Sequence, residues 1–174
     1  MKVLIGTPST GMVHAIYAAS LAALVVHYLE NPIFADEVPE DKHDIMLQFM
    51  IGSSISDNRE KLVESSLTND CTHLLFIDDD MGFEPECLNI ALGKQQPIVI
   101  ANYRMKASPY PFLSRNPLNT GQILTTDRSI GLQPCSFGGF GFALIERRVF
   151  EAIEKPRFLV SYSKELNTYT TEDK

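Results

Sequence analysis

His73-Leu74-Leu75-Phe76-Ile77-Asp78-Asp79-Asp80-Met81-Gly82-Phe83-Glu84-Pro85 is the segment on which the architecture turns. Leu74 to Ile77 is an uninterrupted apolar run, too short for a helix and without polar alternation. Such a run reads as a strand buried on both faces, the pattern of a parallel sheet. Asp78, Asp79 and Asp80 then end it abruptly. Side chains alternate along extended chain, which predicts Asp78 and Asp80 on one side and Asp79 on the other. Gathering three like charges costs energy unless a cation or water offsets them. Two carboxylates at the mouth of a core strand make a hard-oxygen site suited to Mg²⁺ or Mn²⁺. A solvated turn is the plain alternative for an acidic triplet. The buried run ahead of it argues for the rim of a core instead.

The flanking chain alternates in the same sense. Lys2 to Gly6 reads as a strand that stops at Thr7-Pro8-Ser9. Met12 to Leu29 is rich in alanine and leucine on nearly every side and predicts a well-buried helix ending at Asn31-Pro32. Ile45 to Ile51 is a second strand. Ser56-Asp57 caps a helix with Leu62, Val63 and Leu67 on one face. After the acidic triplet, Pro85 opens a short helix that Gly93 closes, and Pro97 to Tyr103 is a fourth strand. Residues 104–121 read as irregular chain carrying Arg104, Lys106 and Arg115. Ala143-Leu144-Ile145 is a further strand, and Arg147 to Glu154 a short helix. Ser161 to Lys174 is a polar tail. Strand and helix alternating through residues 1–103 imply a parallel sheet covered by helices, with shorter antiparallel strands in the C-terminal half. In such sheets ligands sit beyond the carboxyl ends of the strands. Thr7-Pro8-Ser9, Asp78-Asp79-Asp80 and Asn102-Tyr103-Arg104 all fall at such ends.

Composition narrows the classes. The chain has 174 residues, 44% hydrophobic and 21% charged, which fits one globular domain and excludes collagen-like and coiled-coil chains. Fifteen basic against 22 acidic residues give a net charge of −7, so nucleic acid is not expected as a partner. Cys71, Cys87 and Cys135 fit neither a zinc site nor a disulfide framework, and reduced thiols suggest a cytoplasmic setting. No apolar stretch approaches the roughly 20 residues needed to cross a bilayer.

The acidic strand end resembles the Asp-X-Asp segment of nucleotide-sugar glycosyltransferases of the GT-A fold, especially the family 2-like group. Other segments match in order. Thr7-Pro8-Ser9 follows the first strand, where such enzymes hold the nucleotide base. Asp57-Asn58-Arg59 is similar to an Arg-Asn pattern on the helix before the Asp-X-Asp strand. Phe140-Gly141-Phe142-Ala143-Leu144-Ile145-Glu146-Arg147-Arg148-Val149-Phe150 resembles the glycine-rich strand and following helix. Thr171-Glu172-Asp173 resembles the Glu-Asp motif that carries the catalytic base in inverting members.

The resemblance implies a Rossmann-like α/β fold in a single domain over residues 1–174. Residues 1–103 would form its nucleotide-binding half and residues 104–174 its acceptor and sugar side. It implies transfer of a sugar from a UDP- or GDP-type nucleoside diphosphate sugar to a hydroxyl acceptor, with inversion. Asp80 and Asp78 would hold Mn²⁺ or Mg²⁺, with Asp78 also placed to contact the ribose and Asp79 beside the donor. Asp173, with Glu172, would act as base. Thr7, Pro8, Ser9, Asn58, Arg59, Arg104, Gly139 and Gly141 would line the donor. For Arg59 the residues leave two readings open, a phosphate contact or an ion pair with Glu60 or Asp57. Family members continue beyond the Glu-Asp motif into an acceptor region, whereas this sequence stops at Lys174. The rival reading is therefore a nucleotide-sugar binding module without turnover. A metal-dependent phosphotransferase or nucleotidyltransferase with a similar acidic strand end is the third.

Overall fold

The computed structural model describes residues 1–33, 43–103, 131–135, 138–159, 161–163 and 168–170. In chain order the elements are β1 (Lys2–Ser9), α1 (Ala15–Glu30), β2 (Asp44–Ile51), α2 (Ile55–Thr68), β3 (His73–Ile77), α3 (Cys87–Gly93), β4 (Ile98–Ile100), β5 (Phe142–Glu146), α4 (Arg147–Ala152), β6 (Ser161–Ser163) and β7 (Thr168–Thr170). The fold is mixed α/β, Rossmann-like, with a mostly parallel sheet flanked by helices. The five-stranded sheet runs β2-β1-β3-β5-β4. β1 is parallel to both β2 and β3, while β5 is antiparallel to its neighbours β3 and β4.

The apolar run of β3 is buried on both faces, as its composition predicts. Leu75 and Ile77 join Val3 and Ile5 of β1 against Tyr17, Leu21, Leu24 and Tyr28 of α1 and Leu88 and Leu92 of α3. Leu74 and Phe76 face the other way with Leu4, against Leu62 and Val63 of α2 and Phe150 of α4. Two layers of helix on one sheet thus remove both faces of the central strands from water, at about 25 cal/mol for each Å² of apolar surface.

Several boundaries differ from the sequence reading. β1 does not stop at Gly6 but runs through Pro8 to Ser9. The β1–β3 ladder ends at Gly6, so Pro8 lies where only β2 pairs with the strand, and its missing N–H interrupts no central ladder. The cap of α2 is Ser54, whose hydroxyl accepts from the Asp57 amide at 3.2 Å, rather than Ser56-Asp57. α1 is not buried all round. Its buried positions, Tyr17, Leu21, Leu24 and Tyr28, form one stripe, whereas Ile16, Val26 and Leu29 are more than half exposed. Counting apolar residues overstates the burial, because the sheet covers only one side of the helix. β4 is shorter than Pro97 to Tyr103, and the polar tail contains two strands that pair, Ser161 with Thr170 and Ser163 with Thr168. All three cysteines are free. Among the described residues no helix is long and apolar enough to cross a membrane.

This packing makes two outcomes measurable. Ser54→Ala removes the α2 cap and should cost about 1 kcal/mol in urea unfolding. Burial lowers the His73 imidazole below its ordinary value of 6.5, because the charged form is poorly solvated, while Glu146 opposes the shift. With a depressed folded pKa, the unfolded chain binds the proton first as pH falls. The His73 contribution is therefore intact above pH 6.5 and lost below it, down to the folded pKa. Melting temperatures compared between wild type and His73→Gln from pH 7.5 to 5.5 should show an extra decline below pH 6.5 in wild type alone.

Candidate functional site

The topology gathers loops at one rim. β1, β2 and β3 all run the same way, so Ser9, Ile51 and Ile77 end on the same edge of the sheet. The antiparallel β5 begins there, with Phe142 opposite Ile77, and Gly139 to Gly141 lead into it. β4 also ends there, which brings Tyr103 to the same edge. Strand order reverses between β1 and β3, since the chain goes outward to β2 and returns across β1 to β3. A crevice at such a switch point is where open α/β sheets take ligands. The loop after Ser9 and the turn at Asp78 to Met81 both lie at that point, joined by the His14 amide and the Asp79 carbonyl.

That turn is closed by one hydrogen bond of its own and tied to two other segments. The Met81 amide donates to the Asp78 carbonyl at 3.2 Å, the His14 amide donates to the Asp79 carbonyl at 2.9 Å, and the Asp78 amide donates to the Gly141 carbonyl at 3.1 Å. Phe83 is tied to α1 by its amide, which donates to Ser20 Oγ at 3.1 Å. The extended chain ends at Ile77. The strand alternation behind the pairing of Asp78 with Asp80 therefore stops at Asp78, and backbone parity no longer relates the two. Parity does place Asp78 on the α2 side, in step with Leu74 and Phe76.

There it meets Arg59. The guanidinium Nη2 donates to Asp78 Oδ1 at 3.0 Å, with Arg59 1% exposed and the Asp78 side chain 35% exposed. The Arg59 guanidinium carbon also lies 5.2 Å from the centre of the Phe140 ring. Asp78 is a partner that neither open reading of Arg59 named, and Glu60 pairs with Arg157 at 2.6 Å. Arg59 is turned inward because α2 packs over the sheet and its long side chain reaches along that face to the strand end.

The remaining predicted residues divide. Thr7 and Ser9 are buried. The Thr7 hydroxyl hydrogen-bonds the Tyr17 hydroxyl. Burial raises the Tyr17 pKa, the Thr7 hydrogen bond opposes the rise, and the charge of Asp79 adds to it. Ser9 Oγ donates to the Met12 carbonyl and accepts from the Gly11 amide, both at 3.1 Å, shaping the loop after β1. Gly11 has φ +119°, a conformation that suits glycine. Pro8 is buried in β1. Asn58 is 1% exposed and its amide donates to the Gly52 carbonyl at 3.1 Å, locking the end of β2 to α2. Asp79 and Asp80 are partly exposed on the turn, and Gly139 is buried. Gly141 faces Tyr103: its amide donates to the Tyr103 hydroxyl at 2.9 Å, and a methyl group there would lie 2.6 Å from the ring. The close approach that glycine permits at this position is thus made by a side chain of the protein itself. Arg104, Glu172 and Asp173 lie outside the described residues. His14 is exposed, and it contributes to the rim through its backbone amide.

Sequence reasoning puts Tyr103 at a strand end and Phe140 at the head of the glycine-rich motif without a partner for either, and it misses Tyr17. Tyr17 sits in an apolar helix and resembles any core aromatic. The signal for Tyr103 is its place just past a strand, but its partner is 38 residues away. Among the described residues no three His, Cys, Asp or Glu side chains converge as a metal cage. By donor type alone, the carboxylates of Asp78 and Asp80 are of the kind a Mg²⁺ site uses when one or two of them are completed by phosphate and water.

No protein-family model matches the chain, and no curated protein matches it. Among solved structures, it is similar to A197 from STIV, with a TM-score of 0.57 and 18% identity, over 91% of this chain and 72% of that one. A looser likeness is to 4-diphosphocytidyl-2C-methyl-D-erythritol synthase, with a TM-score of 0.43 and 17% identity, over 88% of this chain and 81% of that one. The first likeness shows a shared fold alone, and the second superposition is too loose to show more.

Gly141→Ala should cost about 1–3 kcal/mol through overpacking against Tyr103. Measured by urea unfolding, the same substitution in a Tyr103→Ala background should cost less than about 0.5 kcal/mol, because the clash is gone.

Proposed function

We propose that the protein is a metal-dependent glycosyltransferase of the GT-A type, using a UDP- or GDP-type nucleoside diphosphate sugar and a hydroxyl acceptor. The observation that supports this reading is the acidic turn, Asp78 to Asp80, standing across the β1–β3 switch point from the loop after Ser9. A ligand with a base at one end and a diphosphate at the other spans such a crevice.

In this reading the loop that Ser9 and Gly11 shape takes the base, and Thr7 and Pro8 support it from within β1. Asp80 and Asp78 would hold Mn²⁺ or Mg²⁺ by their carboxylates. The ion, when bound, would neutralise charge on the leaving nucleoside diphosphate as a Lewis acid. Arg104 follows the end of β4 in sequence and would add positive charge beside the diphosphate. Gly139 and Gly141 would bring backbone and the Tyr103 hydroxyl to the sugar side. The acceptor oxygen forms its bond to the anomeric carbon as the bond to the diphosphate oxygen breaks, and the acceptor proton passes to Asp173, with Glu172 beside it. Attack from the face opposite the leaving group inverts the anomeric centre.

Calorimetry with UDP and with GDP, each with and without Mn²⁺, tests the reading in wild type and Asp80→Ala. Mn²⁺ should tighten nucleotide binding in wild type. Asp80→Ala should lose about tenfold or more of that affinity, since even groups behind a ligand are worth that much. Equal affinity in every arm sinks the metal role. Tight binding of donor with no transfer or hydrolysis selects the binding-module reading, and preference for a nucleoside triphosphate selects a nucleotidyltransferase.

A further inference from the structure

The buried Arg59–Asp78 pair sits where the sequence suggested a phosphate contact. We infer that Arg59 is a positioning residue: it fixes the Asp78 carboxylate at the rim, and it does not itself touch the donor diphosphate. The inference rests on the metal-dependent reading above.

Three observations carry it. Arg59 is 1% exposed, so its side chain offers almost no surface to a ligand, whereas the Asp78 side chain is 35% exposed at the same contact. The pair therefore spans the boundary between core and site, with the cation inside and the anion at the surface. Arg59 is also clamped from a second direction by the Phe140 ring, 5.2 Å away. That ring packs edge-on against Phe76, at 5.7 Å, and Phe158, at 5.6 Å. A planar guanidinium held between a carboxylate and an aromatic face has a defined orientation, which a lysine ammonium on a flexible stem does not reproduce. Finally, Asp78 is fixed at its backbone too, through its amide to Gly141. With Oδ1 engaged by Arg59, rotation of the carboxylate is restrained before a cation arrives. Groups behind a metal ligand act this way, and their loss weakens metal affinity rather than substrate contact.

The test separates those two quantities. Mn²⁺ with UDP or GDP held saturating, and UDP or GDP without metal, are titrated separately into wild type, Arg59→Met and Arg59→Lys, with thermal melts run alongside. Arg59→Met should weaken Mn²⁺ binding by about 10- to 100-fold. Arg59→Lys should weaken it by about threefold or more, because the charge remains but the fork does not. Metal-free nucleotide affinity should stay within about twofold of wild type in both, as expected of a group behind the ligand. Weaker metal-free nucleotide binding with unchanged Mn²⁺ affinity overturns the inference in favour of direct phosphate contact. A lower melting temperature with neither affinity changed overturns it in favour of a purely structural pair. If Arg59→Met does not fold, Arg59→Lys decides by the same criteria. Wild type that binds no Mn²⁺ overturns the metal-dependent reading itself, a result distinct from variants that bind as wild type does.

Discussion

The parallel pairing of β1 with β3, closed to water on both faces, is the constraint that organises the molecule. Val3, Leu4, Leu74 and Leu75 are fully buried, so every backbone amide and carbonyl between them must find its partner in the ladder. Strands paired in that sense need helical crossovers, and α1 and α2 supply them on opposite faces. With direction and crossovers set, the carboxyl ends of β1, β2 and β3 share one edge. The position of the candidate site is therefore a consequence of the core rather than of any residue within the site.

Polar side chains at that edge serve two separate tasks. Thr7, Ser9, Asn58 and Arg59 are all buried, and they tie strand ends and loops to one another. Asp79 and Asp80 stand at the surface of the turn. A buried hydrogen-bonding group left without a partner is costly, which is why the Thr7, Ser9 and Asn58 side chains bond to the protein itself. This inner layer holds the outer one in place. The turn at Asp78 is bound to α1 through His14, to the approach to β5 through Gly141 and to α2 through Arg59, so three elements meet at one residue pair of the chain.

Charge is distributed to match. An excess of acid over base across the chain makes a cluster of carboxylates expensive unless something nearby compensates. Arg59 compensates Asp78 from within the core, where its field is least screened by water. Arg157, only 7% exposed, plays a comparable part on the outer face of α2, bonding both Glu60 and Glu64. Hydrogen bonds from Lys155 and Arg157 lower the Glu64 pKa. Lys155 and Arg157 are thus engaged in holding α2 to the segment after α4.

The alternation of strand and helix, the burial of β3 and the place where it ends are all legible in the order of residues. Those properties reside in local runs: Leu74 to Ile77 can only be core, and Asp78 cannot follow them inside. The glycines and acids of the rim are visible there as residues too. What they touch depends on how the layers pack. Pro8 reads as a strand end because the prohibition on proline in a ladder is local knowledge, while the early end of the β3 ladder is not. Asp78 and Asp80 pair only under an alternation that the turn interrupts. Arg59 could face water, phosphate or carboxylate, and only the docking of α2 over the sheet brings it within 3.0 Å of Asp78. Gly141 and Tyr103 meet across 38 residues, a contact that no periodicity encodes. Periodic burial is a short-range property written in neighbouring residues. The partner of a buried charge or an absent side chain is a long-range one, and it exists only once the layers have closed.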